Sequence, residues 1–90
     1  MSLTRILWQD IRHTGDACRQ LAAQAETPDY FAHNLDALFD VLCNDLPGPI
    51  QLEWPSHNAD RQHAGELCEQ LALLLADVRA ERDDFRYRLG

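Results

Sequence analysis

The chain contains no lysine. Its 8 basic residues are all arginines, and none falls between Arg19 and Arg61. That interval carries Glu26, Asp29, Asp36, Asp40, Asp45, Glu53 and Asp60, so the middle of a chain with net charge −7 is acidic throughout. Such a surface repels phosphate backbones and anionic lipids and attracts basic proteins. No nucleic acid and no membrane is therefore expected as a partner. From charge alone, the plainer reading is a solvated face that keeps the chain soluble.

No apolar run approaches the length of a membrane span. The beginning, Met1-Ser2-Leu3-Thr4-Arg5-Ile6, lacks the apolar stretch and small-residue cleavage site of a secretory leader, so a cytoplasmic location is expected. Paired cysteines are missing too. Cys18, Cys43 and Cys68 are odd in number and widely spaced, which suits reduced thiols packed as small apolar side chains, with no disulfide or structural zinc. His13, His33, His57 and His63 show no ligand spacing and read as surface residues. No cofactor and no metal is implied. Repeats and low-complexity segments are absent.

What is present is ordinary globular composition: 46% hydrophobic against 26% charged residues, far from the signature of disorder. Residues 1–90 make one domain with an economical core. Leu3 to Trp8 is a short apolar run suited to a buried first strand. Ala17, Leu21 and Ala25 recur at helical spacing from about Thr14 to Glu26, with Asp16 near the positive end of the helix dipole. Thr27 and Pro28 end that helix.

Asn34 is a good cap for a second helix, whose buried stripe is Leu35, Leu38 and Leu42. At 100 degrees per residue, Asp36 and Asp40 point away from that stripe, Phe39 lies on its boundary, and Cys43 comes round beneath the two acids. After Pro47-Gly48-Pro49, Ile50, Leu52 and Trp54 alternate with Gln51 and Glu53 as a second strand. Ser56 to His63 reads equally as a short helix or a loop. Leu67, Leu71, Leu74, Leu75 and Val78 define the strongest helix, with Glu66 and Glu69 early and Arg79 and Arg82 late. Asp83-Asp84 makes a turn, and Phe85, Tyr87 and Leu89 alternate with Arg86 and Arg88 in a closing strand. Trp8 and Trp54, at strand ends, read as core anchors. Strands separated by helices pair in parallel, predicting an α/β fold: a small three-stranded parallel sheet packed with three to four helices.

The stretch from Pro28 to Leu42 resembles the signature of the barstar family, the intracellular inhibitors of secreted microbial ribonucleases. Its centre is Tyr30, then Asn34-Leu35-Asp36-Ala37-Leu38, then Phe39 and Asp40. A second match is Pro49-Ile50-Gln51-Leu52-Glu53-Trp54, and the likeness runs with little or no gap from about Ile11 to the end. It implies a barstar-like fold and a one-to-one complex with a basic, guanyl-specific, barnase-like ribonuclease or a related toxin. A barstar-fold module serving an unrelated protein is the alternative. Asp40 would enter the enzyme's phosphate pocket, because a carboxylate accepts paired guanidinium hydrogen bonds as phosphate does. Asp36 would meet further basic groups, Tyr30 and Phe39 would give flat apolar contact, and Asn34 would hydrogen-bond the enzyme's backbone. The implied partner-binding set is Tyr30, Phe31, Asn34, Asp36, Phe39, Asp40, Asn44, Asp45 and Asp77. Phe39 and Asp45 stand where the family usually has tryptophan, and Asp77 where it has glutamate. His33, next to the cap, would tune binding on gaining a proton. Two acids on the exposed side of one helix lack the cleft of an acid–base pair, so no catalytic residue is expected.

Overall fold

The structure is a computed structural model and describes residues 3–29 and 31–90. Its elements in order are β1 (Thr4–Leu7), α1 (Thr14–Gln24), α2 (Leu35–Asp40), a π-helical turn (Val41–Asp45) continuing α2, β2 (Ile50–Trp54), α3 (His57–Glu81) and β3 (Phe85–Leu89). The sheet order is β1-β2-β3 and both pairings are parallel, with Ile6 beside Leu52 and Leu52 beside Tyr87. The expected three-stranded parallel α/β architecture is therefore present.

This strand order fixes where the helices go. Both crossovers step the same way along the sheet, and right-handed crossovers that step the same way leave all helices on one face. Burial agrees: Ile6, Ile50, Leu52, Trp54 and Phe85 are buried, whereas Arg5, Leu7, Arg86 and Arg88 on the alternate positions are exposed. β1 is thus not the buried strand its composition suggested. Leu7 is 41% exposed because no helix covers its side of the sheet.

The covered face holds the core. Trp8 and Trp54 are fully buried and meet edge to face at 5.5 Å. From α3, Cys68, Leu71, Leu74, Leu75 and Val78 repeat at helical spacing and pack onto it, and each fully buried leucine contributes about 1.5–3 kcal/mol. α1 adds Ala17, Cys18 and Leu21. It stops at Gln24, two residues before Glu26, because Ala25 is already extended (φ −143, ψ 160). Its start is tied by Asp16, whose carboxylate accepts from the amides of Arg12 (2.9 Å) and His13 (3.0 Å).

The segment from Ser56 to His63, ambiguous in sequence, begins α3. Ala64 leaves helical geometry there (φ −141, ψ 56), so α3 is two helical pieces across a kink. Asp60 explains the tight start. It is 1% exposed and accepts hydrogen bonds from Trp54 Nε1 (2.7 Å), the Ile11 amide (3.1 Å), Ser56 Oγ (2.8 Å) and Arg12 (2.7 Å). Asp60 therefore adds nothing to the acidic surface assigned to it from sequence. His57 is half-buried against Trp54, at 4.7 Å, rather than a surface residue. Burial, reinforced by the nearby Arg61 charge, lowers its pKa.

The two sheet edges differ. Gln24 accepts from the Leu7 amide (2.7 Å) and donates to its carbonyl (2.8 Å), and Gln20 does the same for Gln9 (2.9 and 2.7 Å). Two side-chain amides thereby stand in for a neighbouring strand along β1.

Candidate protein-binding surface

Asn34 starts α2 as its sequence suggested: it is extended, and its side-chain oxygen accepts from the Ala37 amide at 2.8 Å. That oxygen is therefore committed to the cap, leaving the side-chain NH2 for a partner. Leu38, Val41 and Leu42 are buried, whereas Leu35 is only half-buried. The expected stripe of Leu35, Leu38 and Leu42 is corrected in this respect. Val41 is still in ordinary helical geometry, its amide bonded to the Ala37 carbonyl, and a π-helical turn follows it, in which the Leu46 amide reaches back five residues to the Val41 carbonyl (3.2 Å). Cys43 is half-buried against the core and close enough to Asp40 for that carboxylate's charge to act on its thiol.

Arg82 holds this end of the helix. Its Nη1 donates to the carbonyls of Leu42 (2.9 Å) and Leu46 (3.1 Å), while its Nε and Nη2 pair with Asp84 at 2.7 and 2.9 Å. A cation bonded to the last carbonyls of a helix is favourably placed against its dipole. The Asp84 hydrogen bond is the main reason that the Arg82 pKa is raised. Gly48 makes room for the pair, since a Cβ there would collide with the Asp84 carboxylate and come within 2.6 Å of Arg82 Nη2.

Asp36 and Asp40 are both exposed on α2. Between α2 and α3 lies a shallow depression of about 240 Å³ lined by Leu35, Asp36, Phe39, Leu74 and Asp77. Asp36 and Phe39 thus share one surface with Asp77, which is distant in sequence, and Phe39, on the stripe's boundary as expected, is half-buried against the core. One turn on, Asn44 Nδ2 donates to Asp40 Oδ1 at 2.7 Å, steadying one carboxylate oxygen and leaving the other free.

The remaining residues of the expected set are more scattered. Phe31 is half-buried and packs edge to face on the exposed His33 at 5.6 Å. Asp45 is exposed at the end of the π-helical turn, outside the depression. Tyr30 lies outside the described residues. Arg82 and Leu74 were not singled out for this surface from sequence. Leu74 was legible only as core, and the late position of Arg82 on α3 was the one signal for a helix-capping cation.

Among the described residues, no three His, Cys, Asp or Glu side chains converge as a metal site, and no helix is long and apolar enough to cross a membrane. Cys18, Cys43 and Cys68 are free thiols.

The fold and this surface define a class: a one-sheet α/β domain, helices on one face only, with an acidic helix exposed beside a shallow apolar groove. The chain belongs to the barstar family, since the family model described as Barstar (barnase inhibitor) matches residues 1–90, the whole chain.

Proposed function

We propose that this protein is an intracellular inhibitor that binds a basic, guanyl-specific ribonuclease one to one and blocks its active site with α2. The observation that carries the reading is the joining of Asp36, Phe39 and Asp77 around one shallow groove, with Asp40 steadied by Asn44 one turn away. A groove of this depth suits a protein surface more than a small substrate. Asp40 acts as the phosphate mimic, its free oxygen meeting an arginine of the enzyme. Asp36 and Asp77 neutralise flanking cations, and Phe39 with Leu35 and Leu74 gives the dry centre that makes the charge pairs count.

Phe39, Asp45 and Asp77, which differ from the family's usual residues, favour a second reading. The same surface would then fit a different toxin, as an immunity module whose target has a smaller apolar contact and one further cation opposite Asp45.

Calorimetric titration of guanyl-preferring ribonucleases tests both readings. Nanomolar or tighter one-to-one binding is expected for the cognate enzyme, weakening with salt. Asp40→Ala is expected to cost about 2–5 kcal/mol, the range for truncating one partner of a buried, hydrogen-bonded charge pair at a protein interface. Full ribonuclease activity at excess inhibitor, across such enzymes, refutes the first reading. Capture from the source cell of a non-ribonuclease toxin that the Asp40→Ala variant fails to bind establishes the second.

A further inference from the structure

At the end of β1, Gln24 and Gln20 take up the outward groups of Leu7 and of Gln9 just beyond it; β3 has no counterpart among the described residues. In the parallel ladder, Ile50 donates to the Asp84 carbonyl (2.7 Å) and Gly90 to the Trp54 carbonyl (2.9 Å), so residues 84, 86, 88 and 90 turn their backbone groups toward β2. Phe85, Tyr87 and Leu89 turn theirs outward. Among the described residues, no side chain bonds to any of these outward amides or carbonyls. An edge left in this state is a template for another strand.

The surroundings of that edge have a definite charge. A depression of about 310 Å³ is lined by Arg79 of α3, Arg86, Tyr87 and Arg88 of β3, and Gln51 and Leu52 of β2. All three arginines are exposed and, among the described residues, none has an ion pair; the pairs found use Arg12, Arg19 and Arg82. In a chain of net charge −7, this is a concentration of positive charge remote in sequence from the acidic α2. Glu53, beside Arg88 in register, is the carboxylate facing the same side of the sheet, and Asp83 and the paired Asp84 lie before the strand begins. The cationic stretch is therefore Arg86 to Leu89.

We infer that the β3 edge adds an extended acidic peptide segment as a fourth strand, held by the outward main-chain groups of Phe85, Tyr87 and Leu89 and selected by Arg79, Arg86 and Arg88. Main-chain pairing gives such a complex its affinity and the flanking side chains its specificity. Guanidinium forks match glutamate and aspartate side chains two residues apart on the incoming strand, which lie on one face at the same spacing as Arg86 and Arg88. A second copy of the chain is the wrong occupant. Pairing β3 with β3 would set Arg86 and Arg88 of one copy against the same two arginines of the other, which like-charge repulsion opposes. The inference does not depend on the role of α2.

The test is a titration of isotope-labelled protein with a capped hexapeptide alternating glutamate and valine, followed by amide chemical shifts and hydrogen exchange. Saturable shifts at Phe85 to Leu89 and at least tenfold slower exchange of the Tyr87 and Leu89 amides are expected. Arg86→Gln with Arg88→Gln should weaken binding at least tenfold, and Asp36→Asn with Asp40→Asn should leave it intact. Two further peptides keep the outcome clear even if the arginine variant is unstable. A lysine–valine peptide should fail, and an analogue N-methylated on alternate residues should lose the exchange protection. Shifts confined to arginine side chains, without slowed amide exchange, overturn strand addition. So does equal binding of the lysine peptide, or no saturable shift at millimolar peptide.

Discussion

Replacing Asp60 by alanine removes four hydrogen-bond connections in one step. Oδ2 serves the Ile11 amide, Trp54 Nε1 and Ser56 Oγ, and Oδ1 pairs with Arg12 at 2.7 Å. These partners come from the β1–α1 connection, the end of β2 and the start of α3, so the carboxylate ties three segments together. Ser56 can turn its hydroxyl elsewhere, and Arg12, 39% exposed, can find water. The Ile11 amide and Trp54 indole have no such outlet, and each orphaned buried donor costs about 1–3 kcal/mol. With the loss of the charge pair, the expected destabilisation is about 3–5 kcal/mol, a large part of the roughly 5–13 kcal/mol typical of a chain this size. Acid supplies an independent check. Burial pushes the Asp60 pKa up, but the donors led by Trp54 outweigh it and bring it from 3.8 down to about 2. A carboxyl depressed in the folded state contributes stability above its unfolded pKa and loses it as pH falls through the folded value. The contribution, about 2–3 kcal/mol, is thus present at neutral pH and lost between about pH 4 and about pH 2. Urea unfolding read by Trp8 and Trp54 fluorescence measures both effects. A difference below about 1 kcal/mol at pH 7, or a gap that does not narrow in acid, refutes the reasoning.

Asn44→Ala should weaken ribonuclease binding about threefold to tenfold by freeing the Asp40 carboxylate. If Asn44 works by positioning Asp40, the two substitutions are coupled, and strictly additive losses in a double-mutant cycle would show that it does not. Arg82→Met removes the charge-assisted bonds to the Leu42 and Leu46 carbonyls, with an expected cost of about 1.5–3 kcal/mol. Hydrogen exchange should then quicken first at Leu46; unchanged protection there would contradict the capping role. Burial raises the thiol pKa values of all three cysteines, that of Cys18 to about 11. A thiol reagent at neutral pH should react slowly with the native protein and with all three cysteines in denaturant, and rapid native labelling of Cys18 or Cys68 would count against their burial.

The acidic helix was readable because its signals are local. A cap at Asn34, leucines at helical spacing and two acids one turn apart need only the geometry of a single helix. The π-helical turn escaped that reading, and so did Arg82, nearly forty positions away, which holds the Leu42 and Leu46 carbonyls. The Asp60 network escaped it as well. An aspartate near a helix start looks like any solvated acid until Trp54, Ile11 and Arg12 are seen to converge on it.

The sequence by itself determined the three strands, the helices between them, their parallel pairing and the charge of the exposed side of α2, all of which follow from periodicity and residue chemistry. Tertiary structure alone decided that the strands lie in the order β1-β2-β3, and with it the bare face of the sheet, the sealing of β1 by glutamines and the open edge of β3. It also placed Asp77 beside Asp36 and buried Asp60. These outcomes rest on contacts between residues distant in the chain, which local patterns do not encode and only the packed core selects.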